Sequence, residues 1–527
     1  MTVRTTRARR ISTPLLLALA GTPLATLPTH AQPAPGARAD SATSLTIYST
    51  ATPGAVSPTL YRPVPDSLQQ FSSAIYRGYA QGIPGYAVVR HDRTITLADG
   101  RSVITFADVA ALLDPTTVTF TSLSAPDDTR VIEQNYQFDL ISAQKMLERF
   151  TGQSVVLDGK EVTLLSASAA GGVLVKDADG SVRWQNGYDA ISFPNVADGL
   201  ITKPTLIWDV ATTKPGEHQT RVAYQTEGIT WWADYNITFN EGKDANSGTL
   251  DLSAWVSILN QSGASYENAT LKLIAGDVHR APPPGQSGYK MQRGMEMIAM
   301  ADASGFEEKS FFEYHLYTLG RPTTIPHAST KQIELFDPAR NVPAEKVLVY
   351  YGMDPGWRPY WSEPAIDRNL GVPSNSKVDV YLTFKNDKES GMGVPLPSGR
   401  IRVSKLDDAD GSLEFIGEDV IDHTPRNETI LLKLGNSFDV VGERIQTDFK
   451  IDRAAKWMEE TVQIKLRNRK EEPVKVIVRE SLYRWTNWEI VESTHQHEKQ
   501  DARTIHMPIT LKADEEGIVT YKVRYTW

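Results

Sequence analysis

From Val519 to the last residue apolar and polar side chains alternate, placing Val519, Tyr521, Val523, Tyr525 and Trp527 on one face of a strand and Thr520, Lys522, Arg524 and Thr526 on the other. The same period of two governs most of the chain after about residue 208. "HQTRVAYQTEGITWWADYNITF", "TLDLSAWVSIL", "ATLKLIAGDV", "FFEYHLYTL" and "KQIELF" follow one another at sandwich-like spacing. After "KVLVYYG" a second series begins with "KVDVYLTF", "GRIRVSKLDDADGSLEFIG", "ETILLKLG" and "TVQIKLRNRKEEPVKVIVRESL". Residues 45–207 are mixed instead. "VVRHDRTITLADGRSVITF" predicts strand, Asp99-Gly100 turn, strand, and "VLVKDADGSVRW" predicts a hairpin. "SAQKMLERFTG" predicts a helix capped by Ser142, with Met146, Leu147 and Phe150 on one face and Gly152 at its end.

The predicted fold class is therefore mainly β: tandem immunoglobulin-like β-sandwiches preceded by a small α+β domain. The expected boundaries are 45–207 for the α+β domain, 208–350 for the first sandwich with a long Met-rich loop at 281–310, and 351–527 for the second sandwich. A membrane barrel would need many strands of about ten residues, each with an apolar lipid-facing side. The short strand spacing, the Pro-rich connections and the helix near Ser142 favour sandwiches whose inward faces include the terminal alternation.

The N-terminus places Arg4, Arg7, Arg9 and Arg10 before an apolar run from Leu15 to Leu27 and the small residues Thr29 and Ala31. That order predicts a signal peptide over 1–31, cleaved after Ala31, followed by a disordered tether at 32–44. The absence of cysteine from all 527 residues fits a bacterial secreted chain whose cores stand without disulfides. The expected location is thus periplasmic or secreted. No later run is long and apolar enough for a transmembrane helix. The whole chain carries 55 Lys and Arg against 64 Asp and Glu, and loss of the four leader arginines leaves 51 against 64, or −13. Such a balance argues against nucleic acid as a partner, because phosphate binding needs a cationic face.

"GITWWADYNITF", "WVSILNQSGASYENATLKLIAGDVHR", "EYHLYTLGRPTTI", "KQIELF" and "YKVRYTW" together resemble the C-terminal domain of mucoidy-inhibitor-like bacterial secreted proteins, a domain of unknown function. The resemblance covers about residues 209–527, and the block from Asn260-Gln-Ser-Gly to Ala-Gly-Asp277 is its most specific part. It implies a β-sandwich-rich envelope protein and supplies no catalytic residues. Longer family members carry a coiled coil before the shared domain, whereas residues 45–207 show no sustained heptads here.

Candidate chemistry is sparse. Asp277 and His279 lie two apart, on one side of a strand, as acid–base partners or metal ligands would, with Asn260 at the turn before them. The plainer reading is a strand-end hydrogen-bonded pair, since no third group accompanies them. His495 and His497 form a similar candidate zinc pair in "STHQHEKQDARTIH", against a solvated hairpin tip. Four of the ten methionines, Met291, Met295, Met297 and Met300, sit in the loop. They suit a mobile partner-binding loop, or a merely disordered one, better than a copper site. Trp357, Tyr360 and Trp361, and Trp485 and Trp488, are candidate aromatic contacts for sugars, against packing between sheets.

The chain has no G-x-S-x-G, H-E-x-x-H, phosphate-loop or S-x-x-K pattern. The expectation is an envelope-associated, non-catalytic module that binds protein or polysaccharide and needs no cofactor; the alternative is a metal-dependent or hydrolase-like periplasmic enzyme.

Overall fold

A computed structural model describes residues 42–49, 54–61, 83–139, 141–168, 171–196, 200–244, 246–276, 278, 306–353, 362–370, 374–407 and 409–527. The expected signal peptide, and the tether up to residue 41, lie outside the described residues. What is described is mainly β, as the alternation requires, and the one α-helix among these residues is Ala143–Arg149. Ser142 caps it by accepting from the Lys145 N–H at 3.2 Å. Met146, Leu147 and Phe150 are buried, and Gly152 follows with φ +84°. This helix packs with the five short strands between Ser154 and Ser192 around a small core of its own. The "VLVKDADGSVRW" hairpin is part of that layer, with Gly172–Lys176 antiparallel to Val182–Asn186.

The Asp99-Gly100 segment turns out differently from the expected hairpin. Both strands are present, Tyr86–Leu97 and Gly100–Ala107, but they do not pair with each other. The first lies between Ala42–Tyr48 and Gly216–Thr226, while the second pairs with Thr205–Thr212 in another sheet. Gly100, at φ +82°, makes the turn. It carries the chain from one layer to the facing one, because Leu97 and Phe106 bury into the same core from both sides. A tight turn signal specifies a reversal; it does not specify the partner.

The sheets also run through the expected positions 207/208 and 350/351. Ala42–Tyr48 pairs in parallel with Tyr266–Ala275, Leu45 opposite Leu271, within an eight-stranded sheet. A thirteen-stranded sheet spans Ile229 to Thr526. Its 23-residue strand Ser329–Tyr351 pairs with Ser247–Asn260 along its first part, and with Lys377–Lys385 and Val474–Ser481 along its last. Irregular register with Ser247–Asn260 and a left-handed Asn341 (φ +53°) accompany the change of partner. The strand feeds two separate cores: Ile333, Leu335 and Val342 belong to the first, Leu348 and Tyr350 to the second.

The terminal strand Glu516–Thr526 belongs to the second core. Val519, Tyr521, Val523 and Tyr525 are fully buried there, Trp527 packs against its edge, and the interleaved residues face outward. It pairs on one side with Trp457–Asn468, whose own alternation buries Met458, Val462, Ile464 and Leu466. The apolar faces of these two neighbouring strands bury together in the second core and stabilise it.

Candidate functional site

Four neighbouring strands of the large sheet, Gly399–Leu406, Ile229–Glu241, Ser247–Asn260 and Ser329–Tyr351, bury one face in the first core and turn the other outward. On Ile229–Glu241 the alternation separates two adjacent tryptophans. Trp231 is buried, whereas Trp232 and Asp234 lie on the opposite face. The register sets Trp232 opposite Ser257, Ser257 opposite Gln332, and Asp234 opposite Arg400. These residues, with Ala233, Thr330 and Arg402, line a groove of about 370 Å³ whose remaining wall is Gly54, Val56 and Tyr61; Ser257 lies buried at its floor.

The groove is internally braced. Trp232 Nε1 donates to Asp234 Oδ2 at 2.7 Å and Ser257 Oγ donates to the same oxygen at 3.1 Å. Gln332 Nε2 donates to Ser257 Oγ at 3.0 Å, and Arg402 Nη1 stands 3.4 Å from Asp234 Oδ1. Asp234 therefore fixes the Trp232 ring, and Tyr61 lies against that ring with centroids 5.4 Å apart. Gly54 has φ +83°, and a Cβ there would stand 3.3 Å from Arg400 Nη2. A side chain at Gly54 would crowd the arginine end of the groove. The volume falls in the ordinary range of small-ligand sites, ~300–1,000 Å³. Among the described residues Asp234 is the carboxylate lining it, and its oxygens are engaged as acceptors.

A second polar cluster lies inside the second core. Arg444 Nε donates to Glu480 Oε2 at 3.0 Å and its Nη2 reaches Glu460 Oε1 at 3.4 Å; Arg484 Nε donates to Glu460 Oε2. All four side chains are at most 2 % exposed. Arg484 also donates to the carbonyls of Ala365, Asp367, Arg368 and Leu370, tying that segment to the core. Tyr521, from the terminal strand, donates to Glu480 Oε2. Burial, reinforced by the Glu480 charge, pushes the Tyr521 phenol well above its usual range and keeps it a donor. The cluster is sealed and satisfied except at Glu480 Oε1, which sits against Gly352.

Those residues singled out from sequence that are described do not come together in one site. Asn260 is fully buried, with Nδ2 donating to the Ala264, Ile325 and Pro326 carbonyls and Oδ1 accepting from Ser262. It is a strand-end brace. Asn386 and Asn468 repeat the device, each fully buried at the end of a strand and each donating to two backbone carbonyls. His495 is half-buried with Nδ1 2.9 Å from Thr494 Oγ1, and His497 is exposed. Among the described residues no three His, Asp or Glu side chains converge as a metal site would need. Trp485 and Trp488 pack against the second core; Trp488 donates to the Ala502 carbonyl at 2.8 Å, with Lys499 Nζ 4.8 Å from its ring centre. Asp277, His279, Met291, Met295, Met297, Met300, Trp357, Tyr360 and Trp361 lie outside the described residues.

The groove itself escaped the sequence reading. The available signal was Trp232-x-Asp234 and Arg400-x-Arg402, each pair on one side of a strand, but their strands are about 165 residues apart in the chain. No helix among the described residues is long and apolar enough to cross a membrane. No family model, no curated protein and no solved structure matches the chain.

Proposed function

We propose that this is a non-catalytic, envelope-associated module of the bacterial periplasm or exterior, and that its outward groove binds a carbohydrate segment. The observation that carries the reading is the Trp232–Tyr61 pair. An aromatic wall, oriented by the Asp234 hydrogen bond, stands beside the exposed hydroxyl and amide groups of Thr330 and Gln332. Sugars present C–H faces to aromatic rings and hydroxyls to such polar groups, so one wall of the groove suits each side of a pyranose. The leader-like N-terminus and the resemblance over residues 209–527 support the location.

The test is calorimetric titration of the mature protein with a panel of neutral and acidic oligosaccharides, repeated with Trp232→Ala. Binding of at least one panel member, lost in the variant while its melting temperature is kept, is the expected result. A panel without any binder, or a variant that binds as the parent does, overturns the reading.

A further inference from the structure

The groove carries both charges side by side. The Asp234 carboxylate is engaged by Trp232 and Ser257 at 2.7 and 3.1 Å. On the neighbouring strand Arg400 and Arg402 follow each other at i and i+2, so their guanidiniums project to the same side, ~7 Å apart along the backbone. Their acidic neighbours stand at the long end of the ion-pair range. Arg402 stands 3.4 Å from Asp234 and 3.7 Å from Glu418, and Arg400 stands 3.8 Å from Glu418. Charge-assisted N–H···O bonds run ~2.7–2.9 Å, so these arginines are neutralised in charge without being held in tight bonds. Their side chains are 35–38 % exposed, and Glu418 is 45 % exposed and able to swing into water.

We infer that the groove takes an acidic sugar, a pyranose bearing a carboxylate, with the ring against Trp232 and Tyr61 and the carboxylate bound in a fork by Arg400 and Arg402. The inference rests on the carbohydrate reading above and adds the ligand's charge. A carboxylate replaces the long contacts to Glu418 with short bidentate ones, for which the planar guanidinium is shaped. A neutral sugar makes the same ring contacts and leaves the arginines as they are. The gain from hydrogen bonds to charged groups, ~1.5–3 kcal/mol, corresponds to a preference of about 10- to 100-fold.

The experiment compares a β-1,4-linked tetrasaccharide of glucuronate with the glucose tetrasaccharide of the same linkage, using the mature protein and calorimetry. Tighter binding of the acidic probe by tenfold or more, shrinking as salt rises, is expected. Arg400→Gln and Arg402→Gln should each weaken binding of the acidic probe far more than that of the neutral one, removing most of the preference. Arg402→Lys, which keeps the charge and the fold but loses the fork, should fall between. Equal affinity for the two probes overturns the inference and leaves the carbohydrate reading standing; binding of neither overturns both. Displacement of the acidic probe by an equal concentration of inorganic phosphate also overturns it, since the site would then read a free anion and not a sugar carboxylate.

Discussion

The outward groove and the sealed cluster of the second core use the same chemistry on the same sheet to opposite ends. In the groove, Arg402, Asp234, Trp232 and Ser257 form a chain open on one side to solvent, with Arg402 38 % and Asp234 14 % exposed. In the cluster, Arg444, Glu460, Arg484 and Glu480 are at most 2 % exposed, and Arg484 spends its remaining donors on four backbone carbonyls. Water reaches Arg402, Thr330 and Gln332, so these groups remain available for a ligand, while the buried Ser257 and the Asp234 oxygens hold the floor. Nothing replaces a partner in the cluster, so the same kind of ion pair there becomes a structural joint between the terminal strand, Trp457–Asn468 and the Ala365–Leu370 segment.

The sharpest way to break this comparison is to remove the terminal strand. Deleting residues 519–527 takes Val519, Tyr521, Val523 and Tyr525 out of the second core, each worth ~1.5–3 kcal/mol when buried. The sum rivals the whole stability of an ordinary domain, ~5–15 kcal/mol. Scanning calorimetry should show loss of the second-core transition, with the first core and the groove's ligand binding retained. Loss of both would mean that the shared strand Ser329–Tyr351 makes the two cores one cooperative unit.

Single changes sharpen the contrast. Glu460→Gln leaves Arg484 buried without its counter-charge and Arg444 with Glu480 alone, and should cost about 3–5 kcal/mol, whereas Asp234→Asn in the half-open groove should cost about 1 kcal/mol or less. Urea midpoints of the two variants check this. Similar losses would show the groove to be as much a structural joint as the cluster.

The smaller effect concerns acid. His91 is buried in the first core between Thr43 and Tyr224, at 3.1 and 3.4 Å. Burial first and the Arg93 charge second hold its imidazole down to about 4 from 6.5, Asp92 opposing them. Below pH 6.5 the unfolded chain takes up a proton that the folded chain refuses, so stability falls as pH drops through this window and the loss is complete below about 4. A shift of that size is worth on the order of 3 kcal/mol. Urea midpoints of His91→Phe should depend less on pH between 6.5 and 4 than those of the parent; equal slopes would remove His91 as the cause.

The sequence by itself determined what lies within a few residues. The alternation in "GIVTYKVRYTW" specified which face of the last strand is buried, because side chains two apart on a strand share a face whatever the neighbours are. Ser142 and Gly152 bounded the helix through caps acting over three or four residues. Partner choice was left to the tertiary structure. Asp99-Gly100 marked a turn, yet the strands on either side joined different sheets. Asn260, read as part of a polar site, became a brace once the Ile325 and Pro326 carbonyls arrived from another segment. Trp232 became the wall of a groove only because Ser257, Gln332, Arg400 and Tyr61 were brought beside it from four separate parts of the chain. Local propensity and period act along the backbone, while hydrogen-bonded pairing between strands is decided by which apolar faces bury together, and that competition involves the whole chain at once.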